Sequence, residues 1–452
     1  MESNIQRAHI IAMGGSVMHA LAIALKKQGI KVTGSDDEFF NPSKARLKEH
    51  DLLPASEGWH ADQIDGTIDV IILGMHAHPD NPELKKAKDL GLKIMSFPEF
   101  IFSQSEYKQR IVIGGSHGKT TITSMIMHVL KYHNRKFDYV VGAKVKGFEE
   151  TVKLSDDPII VIEGDEYLSS RIDDTPKFLH YHHHIGLISG IAWDHVNVFK
   201  TENEYKKQFD LFADASPKAG SLVFNIEDEE VKNIGEKDRN DVIQLPYSTH
   251  QHKVIEGDTY LVDGEDQYKV KIFGKHNLLN LSGAKEVLSR LSITKQDFYE
   301  AIQSFELPSL RLNVLKEGPT YSVFRDYAHA PSKVEATVAA VKEKDSKRKL
   351  IGVFELHTYS SLNKEFLSRY ANSLNPCDEA IIFFSPKAVE QKKLEPLSLD
   401  EVKNAFNHPN LEVINNKESL KDRLDAVSFE NTNLLLMSSA NFGGLELNKL
   451  YQ

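Results

Sequence analysis

Apolar runs and amphipathic stretches alternate along the first hundred residues of the chain. The run "HIIAM" is followed by a glycine turn, by helical spacing in "VMHALAIALKKQG" and by the next apolar run, "IKVTG". The segments "IDVIILG" and "LKIMSF" repeat this order, with a polar loop and a helical stretch between them. Strands that alternate with helices predict a parallel, doubly wound sheet. The polar stretch "SQSEYKQ" predicts that this domain ends near residue 108.

Two further groups of apolar runs follow. The first contains "RIVI", "PIIVIEG", "HIGLISGI" and "GSLVFN", and then short runs with turn signals at residues 240–275, which predict a small antiparallel patch. The second begins near Pro308 and contains "YSVFRDY", "KLIGVFEL", "EAIIFFS" and "NLLLMSS". The pattern therefore predicts an α/β protein of three domains, which comprise residues 1–108, 109–307 and 308–452.

Composition narrows the class of protein. The 452 residues carry a formal net charge of −10, which argues against a nucleic-acid partner bound through a basic surface. Cys377 is the only cysteine, so no internal disulfide can form, and we expect this residue to pack in a core. No apolar stretch reaches the roughly 18 residues of a membrane-spanning helix, and the N-terminal segment lacks the pattern of a signal peptide. We therefore expect a cytoplasmic protein without a membrane span.

The turn after the run "RIVI" fits two kinds of chemistry. "GGSHG" fits the nucleophile elbow of a serine hydrolase, with Ser116 as the nucleophile. "GSHGKTT" fits a phosphate-binding loop, in which Lys119 contacts the phosphates and Thr120 holds magnesium. The strict phosphate-loop pattern fails, because Ile113 stands where the first glycine belongs. The phosphate interpretation is favoured because it gives Lys119 and Thr120 a role, while the hydrolase interpretation stays open.

Polar side chains follow three of the predicted strands. Glu163 ends "PIIVIE", Asp194 and His195 follow "LISGIAW", and Asp326 ends "YSVFRD". Because ligands of open α/β sheets bind beyond the carboxyl ends of the strands, these residues are candidate magnesium ligands beside a phosphate loop. Each acid is equally compatible with an ordinary turn residue. The dense histidines of "HYHHH", at residues 180–184, cannot all converge on one ion, so we expect no functional metal there.

A second glycine turn, "MGGSVM", lies in the first domain. Asp36 follows Gly14 by 22 residues, close to the spacing at which a dinucleotide-binding fold places an acid on the ribose. The glycines depart from the G-x-G-x-x-G fingerprint of that fold. A nicotinamide-dependent dehydrogenase is therefore an alternative for this segment taken alone.

Six blocks occur in the same order as the signature blocks of one enzyme family: "GSHGKTT", "VIEGDE", "AWDH", "GKHNLLN", "PSLRLN" and "DYAHAP". On these blocks, which together with the N-terminal segment span nearly the whole chain, the sequence resembles the Mur ligases, the ATP-dependent ligases of peptidoglycan assembly. The resemblance implies a Rossmann-like N-terminal domain that binds a UDP-sugar, a central P-loop-type ATPase domain and a Rossmann-like C-terminal domain. It also implies ATP as a co-substrate and two magnesium ions.

The resemblance assigns site residues by their positions in the matching blocks. It implies catalytic roles for Lys119, Glu163 and His195, and magnesium binding by Thr120, Glu163 and His195. The diphosphate of the UDP-sugar is expected at the start of a helix that begins at Ser16, and the residues implied near this ligand are Gly14, Gly15, Ser16, Ser35 and Asp36. The ATP contacts that it implies are Gly115, Ser116, His117, Gly118, Lys119, Thr120, Thr121, Asn277, Asn280, Arg311 and Asp326. Without the resemblance, Asn277 and Asn280 are interpreted as a helix cap and a helix-surface residue.

The expected substrate follows from the branch of the family that the blocks resemble. The N-terminal "IIAMGGSVMHALA" and "VTGSDDE" resemble the UDP-sugar domain of the branch that adds L-alanine to UDP-N-acetylmuramate. "ILGMHAHPDNPEL" and "SSANFGGLELNKL" resemble the branch that attaches the tripeptide L-alanyl-γ-D-glutamyl-meso-diaminopimelate in cell-wall recycling. Addition of L-alanine to the same sugar nucleotide stays the alternative. The segment "FELHTYSSLN", at residues 354–363, departs from the arginine-containing segments of relatives, so the amine substrate is the least constrained part of the prediction.

Overall fold

The first part of the chain forms a parallel sheet with helices between its strands. The computed structural model describes residues 5–193 and 198–447. The strands pair in parallel in the order β2-β1-β3-β4, which confirms the predicted parallel α/β sheet. A 3₁₀ turn at Ala61–Gln63 accompanies the other elements, which are β1 (Arg7–Ile11), α1 (Met18–Lys27), β2 (Lys31–Ser35), α2 (Ser43–Glu49), β3 (Val70–Leu73), α3 (Pro82–Asp89), β4 (Ile94–Ser96) and α4 (Phe97–Ser103).

Local signals set the limits of these helices. Asn81 accepts hydrogen bonds from two N–H groups in the first turn of α3, where a proline takes the first position. Ser96 and Glu99 form a capping box at the start of α4. Helix α1 begins at Met18, two residues later than the predicted start at Ser16.

A larger sheet follows, with β5 near its middle. The strand order is β13-β12-β11-β5-β8-β6-β7, and all neighbours are parallel except β7, which runs antiparallel to β6. The strands β9 and β10 form a separate antiparallel pair. The elements are β5 (Gln109–Gly114), α5 (Lys119–Tyr132), β6 (Asp138–Val140), β7 (Val152–Lys153), β8 (Ile159–Glu163), β9 (Leu168–Ser170), β10 (Asp173–Pro176), α6 (Lys177–His180), β11 (Ile185–Ile188), α7 (Glu202–Asp214), β12 (Ser221–Asn225), α8 (Glu229–Gly235) and β13 (Ile243–Tyr247).

The predicted antiparallel patch is a small sheet in the order β14-β15-β16, and two helices follow it. These elements are β14 (His252–Ile255), β15 (Asp258–Asp263), β16 (Asp266–Val270), α9 (Lys275–Ser289) and α10 (Lys295–Ile302). The last sheet has the order β17-β18-β22-β19-β20-β21, parallel except at β17. A 3₁₀ turn at Leu367–Tyr370 accompanies its elements, which are β17 (Asn313–Glu317), β18 (Tyr321–Asp326), α11 (Pro331–Lys344), β19 (Lys349–Leu356), α12 (Tyr359–Leu362), β20 (Glu379–Phe384), α13 (Pro386–Gln391), α14 (Leu399–Phe406), β21 (Leu411–Ile414), α15 (Lys417–Asp425) and β22 (Thr432–Met437).

Side chains from the last sheet enter two separate hydrophobic clusters. Along β19, Phe354 belongs to one cluster and its neighbour Val353 to the other, because successive side chains of a strand point to opposite faces. Cys377 packs in the cluster of Phe354, and burial raises the pKa of its thiol to about 12. Cys377 is therefore a packing residue, as expected from the sequence.

The chain divides into two compact units. The first comprises Met1–Ile191, Lys206–Tyr247 and Gly283–Phe298, and the second comprises Ala192–Tyr205, Ser248–Ser282 and Tyr299–Gln452. The first two predicted domains thus share one unit over most of their length, and the boundaries at residues 108 and 307 stay predictions. No helix in the described ranges is both long enough and apolar enough to cross a bilayer.

Candidate active site

A glycine turn joins the strand β5 to helix α5. Gly115 and Gly118 have φ angles of 136° and 77°, a region that favours glycine. Gly115 also lies against Ser189, since a Cβ atom on Gly115 would approach the Ser189 Oγ to 1.9 Å. Gly118 is the N-cap of α5, so the N–H groups of the first helical turn, which have no carbonyl partner within the helix, begin at this loop. Such a helix start is suited to binding phosphate.

Lys119, the first residue of α5, makes a buried ion pair. Its Nζ donates to the Gly115 carbonyl at 2.7 Å and to Oε2 of Glu166 at 2.5 Å. The Glu166 side chain is 1% exposed. Burial acts to lower the pKa of Lys119, but the carboxylates of Glu166, Asp165 and Glu163 outweigh burial and raise that pKa. Lys119 is therefore a permanent positive charge beside the glycine turn.

Glu163 ends β8, and neutral groups hold its carboxylate. The Thr120 hydroxyl donates to Oε1 at 2.8 Å, and the Gly142 N–H donates to Oε2 at 2.7 Å. Burial, followed by the neighbouring Asp165, raises the pKa of Glu163. A divalent cation would offset this penalty, because an opposite charge favours the ionised carboxylate. Carboxylate and hydroxyl oxygens are hard ligands of the kind that Mg²⁺ takes, so Thr120 and Glu163 fit magnesium.

Two further acids follow Glu163 in "VIEGDEY", and sequence reasoning gave neither of them a role. Glu166 pairs with Lys119, and Asp165 lies 3.2 Å from Nζ of Lys177. Burial opposes the ionisation of Asp165, but Lys177 and Lys119 outweigh it and lower the pKa of Asp165. The site thus contains three carboxylates and only two lysines, which are Glu163, Asp165, Glu166, Lys119 and Lys177. The excess negative charge favours a bound cation.

The other predicted contacts in the glycine turn fix its backbone. The N–H and the hydroxyl of Ser116 both donate to the Gly190 carbonyl, at 2.9 and 3.3 Å. The ring of His117 lies close to Gly190, since a Cβ atom on Gly190 would approach this ring to 2.3 Å. Thr121 is buried in α5, and its carbonyl accepts a hydrogen bond from the Ser124 hydroxyl. The turn is therefore held against the residues that follow β11.

His195, the other predicted magnesium ligand, lies outside the described residues. Upstream of it, the histidines of "HYHHH" face separate partners. Nε2 of His183 lies 2.9 Å from the Ser216 hydroxyl, whereas Nδ1 of His184 accepts the Arg110 N–H at 3.1 Å. Each of these two histidines therefore has a structural hydrogen-bond partner.

His180 is the member of that stretch with acidic neighbours. Its Nε2 lies 2.8 Å from Oδ2 of Asp173, and Glu99 completes a group whose possible ligand atoms lie within 4.8 Å of one another. Ligands of a tetrahedral zinc ion at about 2.1 Å lie only about 3.4 Å apart. The contact between His180 and Asp173 accounts for the geometry, and we assign no metal site there.

In the first domain, the glycine turn lies against the end of β2. The Gly14 N–H donates to Oδ2 of Asp36 at 2.7 Å, and a Cβ atom on Gly14 would approach this oxygen to 2.9 Å. Burial is the main cause that raises the pKa of Asp36 to about 7. Gly15 and Ser16 continue the turn towards α1. The hydroxyl of Ser35 donates to a buried glutamate of α3, so this side chain faces the interior of the domain.

Two predicted adenine-side residues belong to the second compact unit. Asn277 and Asn280 lie one turn apart in α9 and are only 3% and 6% exposed. The Asn277 side-chain amide donates to the Phe273 carbonyl at 3.0 Å. The interpretation of Asn277 and Asn280 as a cap and a surface residue is therefore wrong, because both lie buried within the helix.

Arg311 and Asp326 also belong to the second unit, and hydrogen bonds connect their segments. The Asp326 carboxylate accepts the Leu312 N–H at 2.6 Å. The Arg311 guanidinium lies 4.9 Å from the centre of the Tyr327 ring. Leu310 and Leu312, on either side of Arg311, have φ angles of 58° and 49°. Such strained backbone is common at ligand clamps, where the surroundings fix the conformation.

Protein-family models match the parts of the chain that carry this geometry. A model described as the Mur ligase middle domain matches residues 113–288, and one described as the Mur ligase family, catalytic domain, matches residues 7–106. A UDP-N-acetylmuramate–L-alanine ligase from Caldicellulosiruptor bescii is 33% identical over 387 residues, which cover 82% of each chain. The chain belongs to the Mur ligase family.

Solved structures share the Mur ligase fold. A murein peptide ligase from Psychrobacter arcticus aligns over 98% of both chains with a TM-score of 0.67 and 19% identity. A UDP-N-acetylmuramate:L-alanyl-γ-D-glutamyl-meso-diaminopimelate ligase from Neisseria meningitidis aligns over 67% of this chain and 98% of its own, with a TM-score of 0.60 and 24% identity. These likenesses confirm the predicted fold of three mixed α/β domains.

Membership of the Mur ligase family decides between the enzyme classes that the sequence left open. Mur ligases are ATP-dependent ligases that form amide bonds, and they use ATP and Mg²⁺. The hydrolase interpretation of Ser116 and the dehydrogenase interpretation of Asp36 are therefore wrong. Peptidoglycan synthesis, the predicted process, is confirmed for the family. The assignment of each ligand to named residues stays a prediction.

Lys119→Met keeps an unbranched side chain of similar length and removes its charge. We expect ATP-dependent phosphate release by this Mur ligase to fall about 10²-fold or more, the range found when a group that stabilises transition-state charge is removed. The comparison variant is Lys136→Met, at an exposed lysine beyond the end of α5, which should keep wild-type turnover.

Thermal unfolding separates this catalytic loss from a folding defect. Loss of the Lys119 charge removes the ion pair of the buried Glu166, so Lys119→Met should lower Tm. Adding Glu166→Gln should restore Tm and leave turnover low. Phosphate release by Lys119→Met close to the wild-type rate would show that Lys119 does not act on the phosphates.

Asp36→Asn tests the raised pKa of Asp36. An acid whose pKa is higher in the folded chain stabilises the fold below its unfolded pKa of about 3.9, and this stabilisation is lost as the pH rises through about 7. Asparagine does not titrate, so the Tm of the variant minus that of the wild type should increase from pH 5 to pH 8. We expect an increase of about 2 °C or more, since 1 kcal/mol moves Tm by about 2–4 °C in large domains. A Tm difference that is independent of pH would contradict the assignment.

Proposed function

We propose that this Mur ligase joins UDP-N-acetylmuramate to the tripeptide L-alanyl-γ-D-glutamyl-meso-diaminopimelate, with cleavage of ATP to ADP and phosphate. The activity would serve peptidoglycan recycling in the cytoplasm. UDP-N-acetylmuramate is named as a substrate both of the Caldicellulosiruptor relative and of the Neisseria structure. Support for the tripeptide comes from the third domain, where the closing block "SSANFGGLELNKL" resembles the recycling branch.

The first part of that closing block is anchored by a buried carboxylate, and this observation carries the assignment of the amine site. Glu355, near the end of β19, accepts hydrogen bonds from the Ser438 hydroxyl, from the Phe442 N–H at 2.6 Å and from the Gly443 N–H at 3.2 Å. Arg325 donates to the backbone of the same loop. The loop is thereby fixed beyond the carboxyl ends of β19 and β22, the edge at which open α/β sheets bind ligands. The tripeptide amine would approach this edge.

ATP is needed because a carboxylate is a poor electrophile towards an amine. We propose that the lactyl carboxylate attacks the γ-phosphorus, which forms an acyl phosphate and releases ADP. The tripeptide amine then attacks the acyl carbon, phosphate leaves, and the nitrogen gives up a proton as the amide forms. Lys119 would stabilise the negative charge on the transferred phosphoryl group.

Other residues of the chain would hold the reactants. Bound Mg²⁺ would neutralise phosphate charge, and the proposed ligands of two ions are Thr120, Glu163 and His195. The glycine turn of the first domain would hold the diphosphate, with Ser35 and Asp36 near the uridine. For ATP, Asn277 and Asn280 are proposed on the adenine side, Arg311 on the phosphates and Asp326 on the ribose.

A second candidate function is the addition of L-alanine to UDP-N-acetylmuramate. The relative at 33% identity, named as a UDP-N-acetylmuramate–L-alanine ligase, favours this alternative. Both candidates use the same acyl donor and the same acyl phosphate, so they differ only in the amine. The amine is therefore the variable that an experiment has to change.

The substrate assay supplies UDP-N-acetylmuramate and Mg-ATP with either the tripeptide or L-alanine, and measures phosphate release and the ligated product. We expect turnover with the tripeptide to exceed turnover with L-alanine by at least about tenfold, equivalent to about 1.4 kcal/mol of transition-state discrimination. Turnover with L-alanine alone would establish the second candidate. Tight ATP binding without turnover on either amine would identify a non-catalytic nucleotide-binding protein.

A further inference from the structure

The hairpin loop between β6 and β7, residues 141–151, contacts the predicted magnesium ligand. The Val141 N–H donates to the Thr151 carbonyl at 2.9 Å and closes the hairpin loop. The next residue, Gly142, donates its N–H to Oε2 of Glu163 at 2.7 Å. A shift of the hairpin loop therefore changes a hydrogen bond to this carboxylate.

At the other end of the hairpin loop, basic side chains of the first domain surround Glu150. Nζ of Lys27 lies 3.0 Å from Oε1, Arg46 bonds Oε2 through Nη2, and Nε2 of His50 lies 3.9 Å from Oε1. The Glu150 side chain is only 11% exposed. Burial opposes its ionisation, but Lys27 and Arg46 outweigh burial and lower the pKa of Glu150. Glu150 therefore joins the hairpin loop to α1 and α2 as an ionised carboxylate.

Arg46 also connects Glu150 with the glycine turn of the first domain. Its Nη1 donates to Nε2 of His19 at 3.4 Å, and Nδ1 of His19 lies 2.9 Å from the Gly15 carbonyl. Because an arginine only donates and a carbonyl only accepts, His19 is neutral and carries its proton on Nδ1. Burial lowers the pKa of His19, which agrees with a neutral ring. Gly15 belongs to the turn proposed to hold the UDP diphosphate.

We propose that Glu150 is a positioning residue that couples the UDP-sugar site to the magnesium–nucleotide site. Contacts run without a break from the glycine turn through His19, Arg46 and Glu150 to the hairpin loop, and from there to Glu163. The inference rests on the proposed function, because it needs a UDP-sugar at one end of this series and a metal–nucleotide at the other. A ligand that orders one end reduces the ordering that the second ligand requires, so each ligand tightens the other by the same factor.

The hairpin loop and the residue that follows β7 have anchors that do not involve Glu150. The side-chain amide of Gln28, at the end of α1, donates to the Leu154 carbonyl at 2.9 Å. Phe148 packs against Phe137 and Tyr139, with ring centroids 6.2 and 5.2 Å apart. A substitution of Glu150 therefore removes the charged link, while the hairpin loop keeps its apolar packing.

Isothermal titration calorimetry of UDP-N-acetylmuramate, with and without saturating Mg²⁺ and a non-hydrolysable ATP analogue, tests the coupling. In the wild-type enzyme we expect the nucleotide to tighten binding of the UDP-sugar about 5- to 150-fold, the usual range for coupled sites. Glu150→Gln should bring this factor close to one, while either ligand alone binds nearly as tightly as before. Glu149→Gln is the matched control, because Glu149 is the exposed neighbour in the same loop and should keep the wild-type factor.

A double-variant cycle distinguishes coupling from a general structural defect. Arg46→Met should lose the same coupling as Glu150→Gln, and the two together should lose no more than either alone. Thermal unfolding shows whether each variant is folded. If Glu150→Gln is unfolded, the coupling factor of Arg46→Met is compared with that of the wild type instead. An unchanged factor in both variants, or a factor near one in the wild type, overturns this inference and leaves the proposed function intact. If UDP-N-acetylmuramate binds the wild type neither with nor without the ATP analogue, both this inference and the proposed function are overturned.

Discussion

Buried charges at the carboxyl edge of the central sheet must be balanced, and the candidate site depends on this constraint. Lys119 pairs with Glu166 and Lys177 pairs with Asp165, both within the first compact unit. Glu163 is held instead by hydrogen bonds from neutral groups, and burial raises its pKa. An uncompensated buried charge is strongly unfavourable, so the removal of one of these charged groups destabilises the others. Magnesium beside Glu163 would complete the balance, and nucleotide phosphates would compete with Glu166 for Lys119.

Strand order brings these groups to one edge. β5 lies between β8 and β11, and the register pairs Ile113 with Glu163 and Gly114 with Ile188. The segments that follow these three strands therefore begin at the same level. The hairpin loop between β6 and β7 extends this edge towards the first domain, so a carboxylate at the end of β8 and the turn after β1 are joined by one series of contacts.

The parts of this arrangement that have local signals could be predicted from the sequence. Alternating apolar runs predict the parallel sheets, and the glycine turn and the position of Glu163 at a strand end follow from patterns of a few residues. The pairing of Lys119 with Glu166 could not be predicted, because β8 ends in one acid, two more acids follow it, and only the folded backbone decides which of the three faces the lysine. The contact of Glu150 with Arg46 spans 104 residues of sequence and leaves no local pattern. The domain limits are difficult for the same reason, since contacts of this kind cross the predicted boundary at residue 108.

A crystal structure of the enzyme with Mn²⁺ and a non-hydrolysable ATP analogue tests the central claim most directly. We expect an anomalous peak within ligand distance of the Thr120 hydroxyl and the Glu163 carboxylate. The terminal phosphates should contact the N–H groups at the start of α5, with Lys119 turned from Glu166 to the phosphates. A nucleotide bound away from the glycine turn, or a metal ion without contact to Glu163, would contradict the account.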